Sequence, residues 1–146
     1  MNFKLKHLPE RTKKNRNHGL TMVMDKGLSL TEAQNFLEVG SSYVDLVKLG
    51  FGTSFFTPKL QEKINLYHSA NIPVYLGGTL FEAYIVRNQF DDYRNLLDKL
   101  KLTHAEVSDG SLDMNHDEKC EYINTLSKDF TVLSEVGSKD AEKIIP

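Results

Sequence analysis

The sequence predicts an α/β chain of about five β–α units, the front part of a (β/α)8 (TIM) barrel that is incomplete here. Three observations carry that prediction. Short apolar runs alternate with amphipathic stretches at a repeat of about 25–30 residues, the pattern of parallel strands joined by right-handed helical crossovers. No room remains after the fifth strand for a helix to cover it. Charged residues sit inside strands or at their C-terminal ends, in phase with the residues of one face. The alternative architecture is a flavodoxin-like doubly wound sheet, which uses five units and would be nearly complete at 146 residues. A full barrel needs eight units and roughly 250 residues.

Residues 1–18 read as a polar N-terminal segment and residues 19–146 as the partial barrel domain, with its C-terminal strands absent. Within the segment, Lys13, Lys14 and Arg16 form the one basic cluster, expected to be a solvated tail rather than a polyanion site. The first strand is the apolar run 20–24, followed by Asp25-Lys26-Gly27. Ser29 opens a helix, with Glu32 three residues on completing a capping box, and Gly40 stops it. The second strand, 44–49, leads into Gly50-Phe51-Gly52-Thr53-Ser54. Thr57-Pro58 then reads as a cap plus a proline at the first helical position.

The third strand, 73–76, runs into Gly77-Gly78, after which Thr79 and Glu82 are expected to form another capping box. Two helical pieces follow, the second carrying Tyr93, Leu96, Leu97 and Leu100. The fourth strand, 104–107, ends in Ser108-Asp109-Gly110-Ser111. Asn115 and Glu118 are expected to cap a helix whose apolar stripe holds Cys120, Ile123 and Leu126, which makes Cys120 a packing residue. The fifth strand spans 130–136.

Composition narrows the function classes. A hydrophobic fraction of 40% against 26% charged residues suits a folded core rather than a disordered chain. A formal net charge of −2 gives no pull toward nucleic acid or an anionic membrane. No apolar run approaches the roughly 20 residues that cross a bilayer, and the N-terminus is too polar for a signal peptide. A single cysteine excludes an internal disulfide, and the five histidines are scattered. A reducing, cytoplasmic setting is expected, with small molecules as partners.

Each strand ends in groups suited to anions or hard cations. Lys26 and Lys48 follow or close the first two strands, and lysines supply point charges for phosphate or carboxylate. Gly77 and Gly78 let backbone N–H groups approach an anion at a helix start. Asp25 and Lys26 could equally be a surface ion pair. Glu106 and Glu135 lie within or just beyond apolar strands, where an unpaired carboxylate is costly. They are candidate Mg²⁺ ligands, since that cation takes one or two carboxylates; a buried structural pair is the alternative. Together these groups suggest a Mg²⁺-assisted reaction on a small phosphorylated acid.

The segments 19–27 (GLTMVMDKG), 47–54 (VKLGFGTS), 74–82 (VYLGGTLFE), 106–111 (EVSDGS) and 132–139 (VLSEVGSK) resemble, in order and spacing, those of phosphosulfolactate synthases. The resemblance implies a (β/α)8 barrel that adds sulfite to phosphoenolpyruvate, giving (2R)-2-phospho-3-sulfolactate in coenzyme M biosynthesis, with Mg²⁺. It implies that Lys139, after the fifth strand, is the acid that protonates C2, and that the full-length form is a homo-oligomer. Turnover by such a piece alone is expected to be low or absent. The same family includes plant heat-tolerance proteins, so a non-enzymatic stress-associated role on this scaffold is the second expectation.

Overall fold

In the computed structural model, residues 5–137 and residue 142 are described. The elements run β1 (Met22–Asp25), α1 (Leu30–Gly40), β2 (Leu46–Leu49), a 3-10 turn (Thr53–Phe55), α2 (Leu60–Ser69), β3 (Val74–Leu76), α3 (Gly78–Ile85), α4 (Phe90–Lys99), β4 (His104–Val107), α5 (His116–Leu126) and β5 (Thr131–Ser134). All strand pairs are parallel. β2 pairs with β1 on one side and β3 on the other, and β4 pairs with β5. β3 and β4 lie side by side without a hydrogen-bonded ladder. The strands therefore follow one another in sequence order, with β2 between β1 and β3. A flavodoxin-like sheet instead places β1 there.

Side-chain alternation gives the strands two distinct faces. Val47, Leu49, Val74, Leu76, Ala105 and Val107 belong to one buried core with Ala33, Leu37, Ile64, Tyr67, Phe81, Tyr93, Leu97 and Leu126 from the helices. The opposite face carries Lys48, in register with Met24 and Tyr75, and Glu106, in register with Leu133. Asp25 shares the parity of Val23, so it points toward the helices.

Helix starts show where local reading holds and where it slips. Ser29 and Glu32 form the expected reciprocal capping box, and the backbone N–H and hydroxyl of Ser29 hold the Glu32 carboxyl below its usual range. Helix α2 starts at Leu60 from a left-handed Lys59; the Thr57 hydroxyl instead donates to Thr53 O (2.8 Å). Helix α3 starts two residues earlier than expected, from Gly77 as its cap, so Thr79 is inside it and Glu82 is not a capping residue. Asn115 does cap α5, accepting from Asp117 N (2.8 Å), whereas Glu118 accepts from Tyr122 Oη (3.0 Å). Cys120 faces solvent rather than the core.

The basic N-terminal cluster is not a solvated tail. Arg16, its side chain 2% exposed, pairs with Asp45 at 3.0 Å. Lys14 Nζ donates to Ser41 O (2.8 Å) and Ala70 O (3.3 Å) at the C-terminal ends of α1 and α2, where helix carbonyls lack partners. Residues 11–16 thus strap the N-terminal side of the strands. No described helix is long and apolar enough to cross a membrane.

Candidate active site

The C-terminal ends of β2, β4 and β5 bring three of the expected residues together. Lys48, 6% exposed, sends its ammonium to Glu106 Oε1 (2.7 Å) and Glu135 Oε1 (2.6 Å). Glu106 is 2% exposed, and its Oε1 also accepts the Gly78 N–H at 2.7 Å. The α3 N-terminus, where backbone N–H groups favour an anion, is thereby filled by this protein's own carboxylate. Burial pulls the Lys48 ammonium down, but hydrogen bonds and attraction from Glu106 and Glu135 outweigh it and hold the group above its ordinary value. Burial pushes the Glu106 carboxyl up, against Lys48 and the Gly78 N–H. Tyr75, on the same face, is raised by burial and then by Glu106.

Both expected glycines are needed here for space. A Cβ on Gly78 would lie 2.3 Å from Ser108 Cβ and 2.8 Å from Glu106 Oε1. One on Gly77 would lie 3.0 Å from Leu49 O and from Lys48 Cε. Their absent side chains let the β3–α3 turn close over Lys48 and Glu106.

Lys26 does not join this cluster. It is exposed, with its ammonium 5.4 Å from the centroid of the Phe51 ring, so it stands on the neighbouring loop rim. It does not pair with Asp25. That residue is buried, binding Lys63 Nζ (3.0 Å) and Tyr67 Oη (2.9 Å) and accepting the Gly27 and Leu28 N–H groups at 2.8 Å each. The surface ion pair is thus replaced by a buried clamp that fixes the β1–α1 loop on α2. Lys139 lies outside the described residues.

Three residues not anticipated as site groups extend the cluster. Ser108, fully buried, lies 2.6 Å from Glu82 Oε1 and 3.2 Å from Glu135 Oε2. Glu82 is 3% exposed, and its Oε2 has no hydrogen-bond partner. Lys119 Nζ ties Asp109 Oδ1 (2.7 Å) to Glu135 O (2.6 Å), anchoring the exit of β5 to the β4–α5 loop. Ser108 was legible: it continues the parity of Glu106. Glu82 was hidden by a plausible capping-box spacing.

The sequence profile of the family described as (2R)-phospho-3-sulfolactate synthase (ComA) matches residues 9–146. The phosphosulfolactate synthase of Bacillus subtilis (strain 168) is 40% identical over 135 residues, covering 92% of this chain and 54% of that protein. That of Methanothermobacter thermautotrophicus is 37% identical over 138 residues, covering 92% and 54%. That of Methanocaldococcus jannaschii is 41% identical over 128 residues, covering 86% and 51%. The chain spans about half the length of these curated relatives. With the profile matched along nearly the whole sequence and the strand-end segments in place, the chain belongs to the phosphosulfolactate synthase family.

Proposed function

We propose that this chain is part of a (β/α)8 barrel lyase that adds sulfite to phosphoenolpyruvate, giving (2R)-2-phospho-3-sulfolactate as a step of coenzyme M biosynthesis. Sequential strand order supports the barrel, since closure requires each strand to pair with its neighbours in the chain. The observation that carries the function is the Lys48–Glu106–Glu135 cluster at the C-terminal ends of three strands, where enzymes of this architecture do their chemistry.

The cluster's charge balance points to a cation-assisted reaction. Glu106 and Glu135 share one ammonium, Lys48, with Glu82 behind them on Ser108, and such a cluster repels two anionic substrates unless positive charge is added. The donor set fits Mg²⁺, which takes oxygen ligands and commonly only one or two protein carboxylates. Among the described residues, no three His, Cys, Asp or Glu are placed to hold a metal by themselves, so substrate oxygens would complete its shell. Glu106 and Glu135 are the residues that would hold it. Bound there, Mg²⁺ supplies Lewis-acid stabilisation for negative charge on the substrate carboxylate.

The chain's own groups supply the remaining steps. Lys48, held protonated between its carboxylates, presents a fixed positive charge to the substrate's carboxylate or phosphate. The sulfite sulfur lone pair attacks C3, and the π electrons of C2–C3 move toward C2 and the carboxylate. Lys139 then gives its Nζ proton to C2 and regains one from solvent.

The test is phosphoenolpyruvate consumption followed by ³¹P NMR, with protein at concentrations comparable to substrate so that slow turnover registers. Loss that requires both sulfite and Mg²⁺ is expected. No reaction in a folded full-length form would contradict the proposal and favour the non-enzymatic, stress-associated role.

A further inference from the structure

We infer that Ser108, held by Glu82, is a positioning residue that sets which oxygen of Glu135 faces Lys48. The inference rests on the proposed function only for its consequence for turnover; the geometry stands without it. Glu82 is a buried carboxylate that accepts from the Ser108 hydroxyl (2.6 Å) and the Ser111 N–H (3.4 Å). Its second oxygen is buried and unpartnered. Burying a carboxylate with so little compensation costs stability, which is hard to reconcile with a purely structural part.

Ser108 is the pivot because a hydroxyl has one proton and two lone pairs. One lone pair takes the Gly110 N–H at 3.3 Å. The one proton is shared between Glu82 Oε1 at 2.6 Å and Glu135 Oε2 at 3.2 Å, so the hydroxyl bridges the two carboxylates. Glu135 Oε2 is thereby located but not neutralised, and its Oε1 is left to Lys48 at 2.6 Å. The Glu135 side chain is 47% exposed, so burial alone does not fix it. Gly78 enforces the arrangement from the other side, because a Cβ there would displace Ser108. Glu82 therefore acts on the site only through Ser108, and Ser108 acts through Glu135.

The experiment is long-range ¹⁵N–¹³C hydrogen-bond coupling from Lys48 Nζ to carboxylate carbons, measured on the full chain. In wild type, couplings to both Glu106 and Glu135 are expected. In Ser108→Ala the Glu135 coupling should fall while the Glu106 coupling persists. In Glu82→Gln it should strengthen, because the amide is a poorer acceptor and the Ser108 proton turns toward Glu135. Glu82→Gln keeps the side-chain shape and serves if Ser108→Ala does not fold.

Unchanged Glu135 coupling in a folded variant overturns the inference, as does equal loss of both couplings, which marks a general structural defect. In the turnover assay, Ser108→Ala should lower kcat by about tenfold or more with KM for phosphoenolpyruvate nearly unchanged, the scale for a group that orients a ligating side chain. A normal kcat beside a reduced coupling refutes positioning for catalysis. Inactivity of the full-length form refutes the proposed function, while the couplings still decide the geometry.

Discussion

Replacing Lys48 with methionine removes the ammonium but keeps most of the stem's packing. Glu106 is then left 2% exposed with no cation, retaining the Gly78 N–H at 2.7 Å. Breaking a buried ion pair from one side costs about 3–5 kcal/mol, and the surviving charged hydrogen bond places Lys48→Met near the lower end. Glu135, 47% exposed, contributes little, so Glu135→Gln should cost under about 1 kcal/mol. Lys48→Met/Glu106→Gln removes the orphaned charge and should recover most of the loss.

The pH dependence has a definite sign. Glu106 is already raised by burial, and Lys48 is among the groups holding it down. A raised carboxyl binds its proton more tightly in the folded state, so its penalty is present when it is ionised and fades as pH falls toward the ordinary carboxylate range. The cost of Lys48→Met should therefore shrink between neutral pH and about pH 5. Urea unfolding followed by circular dichroism measures each quantity. A cost below about 1 kcal/mol at neutral pH, a cost that grows on acidification, or no recovery in the double variant would refute the reasoning.

Other outcomes follow from the same geometry. Gly78→Ala should destabilise by about 1–3 kcal/mol in urea unfolding, because the new Cβ meets Ser108 and Glu106, with Gly77→Ala milder. Arg16→Met should cost about 3 kcal/mol, since Asp45 is buried against it; a solvated tail would show no change. Cys120 should react with a thiol reagent in the native state without loss of circular dichroism signal, which a core cysteine would not allow. In a full-length form, Lys139→Ala should cut turnover by about 100-fold or more, and near-normal turnover would remove it as the acid.

Strand positions were legible because short apolar runs between glycine and polar punctuation leave few alternatives, and β4 has the predicted bounds. The Lys48–Glu106–Glu135 set was legible from parity, since residues two apart share a face. The same rule, applied to Asp25, separates it from that face: it follows Val23 and meets Lys63 and Tyr67 of α2. Lys63 was invisible because a lysine on an amphipathic helix normally reads as solvated, and only its tertiary partner explains its burial. Glu82 was masked by a spacing that fits a capping box, but Gly77 starts the helix earlier and turns that glutamate inward. Arg16 and Lys14 looked like a tail because their partners, Asp45 and two helix-terminal carbonyls, lie 27 to 56 residues away.

The proposed reaction joins sulfur to C3 of phosphoenolpyruvate and places a solvent-derived proton on C2. One ¹³C NMR measurement, with phosphoenolpyruvate labelled at C2 and C3 and the reaction run with sulfite and Mg²⁺ in D₂O, reads both events. The account predicts that C3 becomes a sulfonate-bearing methylene carbon and that C2 carries one deuterium with its phosphate ester retained. Conversion to pyruvate, or both labels unchanged with a folded full-length form, would contradict it.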